Sequence, residues 1–249
     1  MKVMIVVKFA DIHCHMLHGL DDGAGEREDM IALLTKAYES GTETVCFTPH
    51  YEPESFPYSK EQLMERFEEA KAYAAEHLPS MRLCLGNELS YRFDCVDRLL
   101  SGECLSIAGG RYVLVDFFGI SGIKEMSSIL EKLWCAGYNP VVAHVERYDF
   151  LKGKLRELAN MSHDGVLFQM NSHSLTSKSR KDSTRKMAEK LLAHGIVDVI
   201  ASDAHDVNGR DPELRSCYEY VAKKYGGEYA NALFYENPLC IINNQTIRI

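Results

Sequence analysis

Short apolar runs typical of β-strands alternate with amphipathic helical segments along most of this chain. About seven strand–helix units fit the order, which predicts a parallel sheet, either closed as a barrel or open and doubly wound. Candidate polar ligands follow nearly every strand-like run. A barrel gathers all of its strand carboxyl ends around one mouth, whereas an open sheet spreads them out. The pattern therefore favours a barrel.

The boundaries follow from the apolar runs, the capping residues and the turn residues. The predicted strands are Val3–Ala10, Thr44–Thr48, Arg82–Leu85, Tyr112–Phe117, Pro140–Ala143, Val166–Met170 and Val197–Ala201. The predicted helices are Glu26–Ser40, ended by Gly41, Ser59–His77, with Ser59 as its N-cap, Lys124–Ala136, Arg180–His194 and one more after Asp211-Pro212. We expect one domain over residues 1–249, with Glu228–Ile249 as a packed C-terminal extension.

Composition excludes several classes of function. The net charge of −8 argues against broad binding to nucleic acid or to an anionic membrane, because both require a basic surface. No segment approaches the roughly 20 apolar residues that span a membrane, and Val3–Val7 is too short for a signal-peptide core. The eight cysteines form no CxxC pair. Buried free thiols in a reducing cytoplasm are the expected state, so we predict a cytoplasmic protein.

Histidines and carboxylates at the strand ends are the candidate functional residues. In a strand, residues i and i+2 point to the same face, so the pairs His13/His15 and Asp203/His205 can each offer two ligands on one side. Mixed histidine and carboxylate ligands without clustered thiolates suit a hydrolytic divalent metal site better than a zinc finger. The nine candidates are His13, His15, Asp22, His50, Glu88, Asp116, His144, Asp203 and His205.

Each of these signals has an ordinary structural explanation when it stands alone. An isolated His-x-His pair is structural at least as often as it binds metal, and a carboxylate at a strand end usually just faces water. Asp116 differs because apolar residues flank it, and a buried carboxylate needs a cation or hydrogen-bond partners. Arg147 has even odds of being a surface ion pair or a phosphate ligand. Chance explains one strand that ends in a ligand, but it explains five or six poorly.

Taken in order, the motifs resemble the PHP superfamily (polymerase and histidinol phosphatase). Within it, the chain is most similar to the bacterial manganese-dependent protein-tyrosine phosphatases of capsule and exopolysaccharide operons. The resemblance runs from about residue 9 to about residue 212. The motifs are Asp-Ile-His-Cys-His (residues 11–15), Thr-Pro-His (48–50), Gly-Asn-Glu (86–88), Ala-His-Val-Glu-Arg-Tyr (143–148) and Ala-Ser-Asp-Ala-His (201–205).

The resemblance implies a distorted (β/α)₇ TIM-like barrel with three divalent metal ions at its mouth, Mn by expectation and Zn, Fe or Mg as alternatives. It assigns His13, His15, Glu88 and Asp203 to one metal, Glu88, Asp116 and His144 to a second, and Asp22, His50 and His205 to a third. It also matches Arg147 and Arg210 to phosphate-contacting arginines. The implied substrate is a phosphotyrosine protein, for which a bacterial tyrosine kinase of polysaccharide export is the candidate.

The residues and the resemblance agree on metal-assisted hydrolysis of a phosphate monoester, with a metal-bridging hydroxide as nucleophile. Arg147 and Arg210 would stabilise the transition state, while metal-bound water, Asp203 or a nearby histidine could be the general acid. The resembling proteins usually have Glu where this chain has Asp116, so we expect the second metal to sit differently or to bind more weakly. The alternatives are a phosphatase for a small metabolite such as histidinol phosphate, or a catalytically degenerate metal-binding barrel.

Overall fold

The structure has the predicted alternation of strands and helices. It is a computed structural model that describes residues 7–91, 94–176 and 182–247. The strands are β1 Phe9–Asp11, β2 Thr42–Phe47, β3 His50–Tyr51, β4 Arg82–Leu85, β5 Glu88–Ser90, β6 Tyr112–Asp116, β7 Asn139–Val142, β8 Leu167–Asn171 and β9 Val199–Ala201. The helices are α1 Arg27–Ser40, α2 Lys60–His77, α3 Cys95–Ser101, α4 Ile123–Cys135, α5 Leu155–His163, α6 His173–Thr176, α7 Ser183–Ala193, α8 Arg215–Tyr225, α9 Gly227–Asn231 and α10 Asn237–Ile242.

Local signals account for the helix ends. Ser59 caps α2 with a reciprocal pair of bonds, in which its hydroxyl accepts from the Gln62 amide at 3.2 Å and its own amide donates to the Gln62 side chain at 2.8 Å. Gly41 ends α1 in the left-handed region, at φ 104°. Helices α3, α5 and α6 were not predicted. Residues 3–6 of the first predicted strand, and residues 180–181 of the predicted helix Arg180–His194, lie outside the described residues.

All strands pair in parallel. One sheet has the order β1-β2-β4 and the other β3-β5-β6-β7-β8-β9. The chain passes from β2 into β3 through Thr48-Pro49, and from β4 into β5 through Gly86-Asn87, so the two sheets are continuous along the chain. The sheet curls until the segments after β1 and β9 meet, where the Asp203 amide donates to the His13 carbonyl at 2.8 Å. The fold is therefore α/β with a curled parallel sheet.

Side chains alternate between the inside and the outside of this sheet. In β6, Tyr112 and Leu114 belong to an inner apolar cluster, while Val113 and Val115 pack in the outer cluster beneath the helices. The next inward position is Asp116. The same two-residue period that fills the core therefore delivers a polar side chain to the end of the strand.

The C-terminal segment is packed, as predicted. It runs as α9, a π-helical turn at Ala232–Glu236, and α10, and it places Ile241 and Ile242 in the inner apolar cluster. Asn237 donates its side-chain amide to the Asp198 carbonyl at 2.8 Å, immediately before β9. The segment therefore covers the end of the sheet where β9 begins.

The described part of the chain contains no helix that is long and apolar enough to cross a membrane. The eight cysteines are free thiols and most are buried, as expected. Cys14 is among the buried ones, and its Sγ lies 3.7 Å from the Cys46 carbonyl oxygen, within an outer apolar cluster. It therefore points away from the two histidines that flank it.

Candidate metal centre

The eleven candidate site residues come together at the carboxyl ends of the strands. They surround a polar cavity of about 350 Å³. Eight of them line it, namely Asp22, His50, Glu88, Asp116, His144, Arg147, Asp203 and Arg210. His13, His15 and His205 are buried just behind, and each contacts one of the lining carboxylates.

The most compact part of the centre is formed by His13, His15, Glu88 and Asp203. The two Nε2 atoms are 3.2 Å apart, and each is 3.2 Å from Glu88 Oε2. Asp203 Oδ1 lies 3.3 Å from the first Nε2 and 3.4 Å from the second. Ligand atoms about 2.1 Å from a tetrahedral ion are themselves about 3.4 Å apart. The distances to the two imidazoles are therefore close to those between ligands of one cation, and the ligand atoms of His13, His15 and Glu88 lie within 4.8 Å of one another.

A second group consists of Glu88, Asp116 and His144, whose ligand atoms lie within 4.8 Å of one another. His144 Nε2 is 2.8 Å from Glu88 Oε1, so the two oxygens of Glu88 face different groups. Asp116 reaches this group despite its short side chain. Its Oδ1 accepts from the Phe118 amide at 2.8 Å and from the Tyr148 hydroxyl at 3.0 Å.

A third group contains His15, Asp22, His50 and His205. His205 Nε2 lies 3.2 Å from Asp22 Oδ1, and His50 Nε2 lies 3.5 Å from the same oxygen. The geometry thus adds His15 to the three residues expected from sequence. His15 and Glu88 each belong to two groups, so the three groups form one connected centre.

Two observations test whether cations fit here. Within the described residues, several buried atoms of the centre lack a hydrogen-bond partner: His50 Nδ1, Glu88 Oε2, His144 Nδ1 and His205 Nε2. The first two are only 3.1 Å apart and still do not hydrogen-bond. The donor set of imidazoles and carboxylates is also the set that divalent transition metals accept.

The electrostatics agree with this fit. Burial alone would lower the pKa of His13, but the Glu88 and Asp203 carboxylates outweigh it and raise that pKa to about 9. Burial alone would raise the pKa of Glu88, yet His13 and His50 hold it well below its usual range. The carboxylates therefore attract positive charge into the centre, and a metal ion can supply that charge instead of protons.

Side chains around the ligands fix their orientation, and the sequence did not identify them. Asp21 Oδ2 lies 2.6 Å from His15 Nδ1 and accepts from the His50 amide at 2.9 Å. A carboxylate on the Nδ1 side keeps the opposite nitrogen available for a metal. Asp21 was visible only as a neighbour of Asp22 in a loop rich in Asp and Gly.

The side-chain amides of Gln169 and Asn171, both on β8, orient other candidate ligands. Gln169 Oε1 lies 2.9 Å from His13 Nδ1 and accepts from the His144 amide at 2.8 Å. Its Nε2 donates to Asn171 Oδ1 at 2.9 Å, and Asn171 Nδ2 donates to Asp203 Oδ2 at 2.6 Å. The pair thus links ligands of two groups through one strand.

The backbone is strained at two of the candidate ligands. His144 has φ 32° and Asp203 has φ 52°, in a region that residues other than glycine seldom occupy. Gly23 is required for a different reason, because a Cβ at that position would lie 1.9 Å from the His15 carbonyl oxygen. Such costs are typical of sites in which the surrounding structure holds functional groups in place.

Two guanidinium groups complete the cavity. Arg147 NH1 lies 3.5 Å from Asp203 Oδ2, and Arg210 NH1 lies 3.4 Å from the same oxygen. Arg210 NH2 also lies 3.5 Å from Asp22 Oδ2. Each side chain remains more than a third exposed, so each guanidinium group is accessible to a ligand. Two such donors beside a cation site form a natural position for a phosphoryl group.

Comparison with known proteins also points to a metal-dependent phosphatase. Residues 9–243 match the family described as capsular polysaccharide synthesis, CpsB/CapC. The chain belongs to the CpsB/CapC family. The tyrosine-protein phosphatase CpsB of Streptococcus pneumoniae is 31% identical over 241 residues, which cover 95% of this chain and 99% of that protein.

Solved structures extend the likeness of this CpsB/CapC member to its fold. One structure, from work on YwqE of Bacillus subtilis and CpsB of Streptococcus pneumoniae as metal-dependent tyrosine phosphatases, has a TM-score of 0.88 and 25% identity and covers 96% of each chain. A histidinol phosphate phosphatase of Lactococcus lactis, solved with zinc, L-histidinol and phosphate, has a TM-score of 0.58 and 18% identity, covering 88% of this chain and 94% of the other. The second likeness concerns the fold alone.

Proposed function

We propose that this protein is a metal-dependent protein-tyrosine phosphatase that hydrolyses phosphotyrosine on proteins involved in capsular or exopolysaccharide synthesis. The observation that supports this most is the convergence of nine histidine and carboxylate ligands and two arginines on one cavity. The names of its relatives in the CpsB/CapC family point to the same substrate class. A tyrosine kinase of polysaccharide export is the proposed partner, and the cytoplasm the proposed location.

The fold that we propose is a single domain over residues 1–249 with a distorted (β/α)₇ barrel. Counting β2 with β3, and β4 with β5, as two interrupted strands gives seven. The hydrogen bond between the Asp203 amide and the His13 carbonyl supports closure between the first strand and the last.

We propose three divalent ions, with Mn as the expected metal. His13, His15, Glu88 and Asp203 would hold the first, Glu88, Asp116 and His144 the second, and Asp22, His50 and His205 the third, with His15 beside it. When bound, such ions polarise phosphoryl oxygens and make water nucleophilic at neutral pH.

The residues around the ions would bind and orient the substrate. Arg147 and Arg210 would each donate N–H groups to the phosphoryl oxygens and stabilise the charge that builds up in the transition state. Asp203 holds both guanidinium groups at the cavity wall through its Oδ2. Asp21, Gln169 and Asn171 would keep the ligands in place, so that little reorganisation is needed during the reaction.

The test is turnover of a phosphotyrosine peptide and of histidinol phosphate, before and after removal of metal by a chelator. We expect the chelated protein to be inactive and Mn²⁺ to restore activity, with the peptide preferred. Arg147→Ala should lower kcat/KM for the peptide about a hundredfold while metal content stays unchanged. Leu100→Ala, on the exposed face of α3, is the matched control.

Three outcomes would contradict the proposal in different ways. Activity that persists in metal-free protein would exclude the metal mechanism. Faster turnover of histidinol phosphate would make the protein a metabolite phosphatase, and fewer than three bound ions together with no turnover would indicate a degenerate barrel.

A further inference from the structure

Phe118 is an exposed aromatic side chain at the edge of the polar cavity. Among the described residues, three large apolar side chains are substantially exposed, namely Met64, Leu100 and Phe118, and only Phe118 lines the candidate active site. Its exposed fraction is 55%. It is also the only side chain without a polar atom among the described residues around that cavity. More than half of the side chain is thus open to solvent at the edge of the cavity, where a bound ligand can contact it.

We infer that Phe118 determines specificity by packing its ring against the aromatic group of an aryl phosphate, so that aryl esters bind in preference to alkyl esters. The inference rests on the proposed function, since it concerns the leaving group of the phosphate ester that the protein is proposed to hydrolyse.

The ring is held in place by its neighbours. Its centroid lies 5.5 Å from that of Tyr148, edge to face, and 5.6 Å from that of His144. The Phe118 amide donates to Asp116 Oδ1 at 2.8 Å, which fixes the backbone beside a candidate ligand. An aromatic platform that is already fixed loses little entropy when a ligand packs on it.

Arg147 connects this platform to the phosphoryl position. Its guanidinium carbon lies 5.2 Å from the centre of the Phe118 ring, within the range of a cation–π contact, while NH1 lies 3.5 Å from Asp203 Oδ2 at the cavity wall. A phosphoryl oxygen bound by Arg147 therefore places its ester substituent within reach of the ring. The remaining wall is polar or charged, so an aromatic substituent has one apolar surface to contact.

The polar character of that wall also explains why the contact with Phe118 would favour aryl over alkyl substituents. Two aromatic rings gain an offset or edge-to-face interaction beyond the burial of area, and an alkyl chain does not. A short alkyl group would make a smaller contact with Phe118 and would otherwise meet carboxylates and imidazoles. The expected consequence is selectivity at the binding step.

The experiment measures binding of two phosphonates that cannot be hydrolysed, phenylphosphonate and propylphosphonate, to Mn²⁺-loaded protein by calorimetry. We expect the native chain to prefer the phenyl compound, and Phe118→Ala to reduce the ratio of the two affinities by about three- to tenfold. Phe118→Tyr should restore the ratio and Phe118→Leu should not. Leu100→Ala, which removes another exposed apolar side chain far from the cavity lining, should change neither affinity. Metal content is measured for each variant.

Each outcome decides one claim. An unchanged ratio in Phe118→Ala, or an equal fall for both ligands, overturns the inference. If Phe118→Ala loses metal, the comparison of the Leu and Tyr variants decides, because both keep the bulk of the side chain. A preference that depends on Phe118 in a protein that hydrolyses no phosphate ester supports the inference and rejects the proposed function. Absence of phosphonate binding rejects the inference, while turnover of the phosphotyrosine peptide decides the proposed function separately.

Discussion

Two aspartates lie at opposite ends of the same strand and differ in their surroundings. Asp198 comes directly before β9 and Asp203 is the second residue after it, and both are buried. Burial alone would raise the pKa of Asp203, but His13 and His15 hold it well below its usual range. At Asp198, burial raises the pKa to about 7, because a single hydrogen bond from the Phe168 amide is the only opposing influence.

The difference shows that only one end of the sheet is organised for charge. Asp203 has imidazoles, two guanidinium groups and the Asn171 amide within contact distance. Beside Asp198 the structure has Tyr229, a phenol whose buried hydroxyl finds no hydrogen-bond partner within the described chain. A buried carboxylate by itself is therefore no sign of function, whereas one surrounded by cations and ligand atoms is.

The largest effect is expected from removing the charge of Asp203. Asp203→Asn keeps the shape of the side chain, and asparagine tolerates the left-handed backbone at this position. It withdraws one ligand oxygen and the partner of both arginines, so turnover should fall by about a thousandfold or more, with loss of bound metal. Asp198→Asn is the matched control and should leave turnover unchanged. Similar activity of the two variants would remove the distinction between the two ends of the strand.

A smaller effect is expected from removing the side chain of Asn171, which hydrogen-bonds to Asp203. Asn171→Ala removes the amide that donates to Asp203 Oδ2 at 2.6 Å but no proposed ligand. Loss of such a supporting bond usually costs about ten- to a hundredfold in metal affinity or activity. Metal titration and steady-state kinetics would measure it, with Asn231→Ala as control, since Asn231 bonds Tyr218 in the C-terminal region. An unchanged metal affinity would mean that the ligands alone organise the centre.

Most candidate ligands could be predicted from sequence because they follow an apolar strand closely, whereas Asp22 lies in the loop after β1. The predictions for His13, Glu88 and Asp203 needed only local pattern and the rule that parallel strands end together. Gln169 and Asn171 could not be found in this way. They lie in β8 next to Phe168 and Met170, and a polar residue in such a strand has no local sign of what it contacts.

The strand boundaries could not be predicted fully either, because they depend on tertiary contacts. The breaks at Thr48-Pro49 and Gly86-Asn87 arise where the curled sheet changes pairing. The amides there bond to residues far along the chain rather than within a local turn, such as the Gly86 amide to the Phe47 carbonyl. Asn87 is an example, since its side chain donates to the Pro49 carbonyl at 3.0 Å and accepts from the Leu105 amide at 2.8 Å. Contacts of this kind depend on residues far apart in the chain, and single-sequence patterns do not contain them.

The smallest effect on activity, and a distinct effect on stability, is expected from Asp198→Asn. The pKa of Asp198 is about 7 in the folded protein, against 3.8 for an ordinary aspartate. Between these two values the folded state binds a proton that the unfolded state does not, so stability falls as pH rises from about 4 to about 7. The difference between the two pKa values corresponds to about 4 kcal/mol of unfolding free energy, and the folded protein loses all of it above pH 7.

Asp198→Asn should therefore unfold at nearly the same temperature as the native chain at pH 4.5, and at a temperature on the order of 10 °C higher at pH 8. The difference between the two proteins isolates this group, because all other titrating residues are common to both. Thermal unfolding followed by circular dichroism across this pH range would measure it, and the exposed Asp164→Asn should follow the native chain throughout. A constant difference from pH 4.5 to pH 8 would mean that Asp198 remains ionised in the folded protein, and the contrast with Asp203 would then rest on geometry alone.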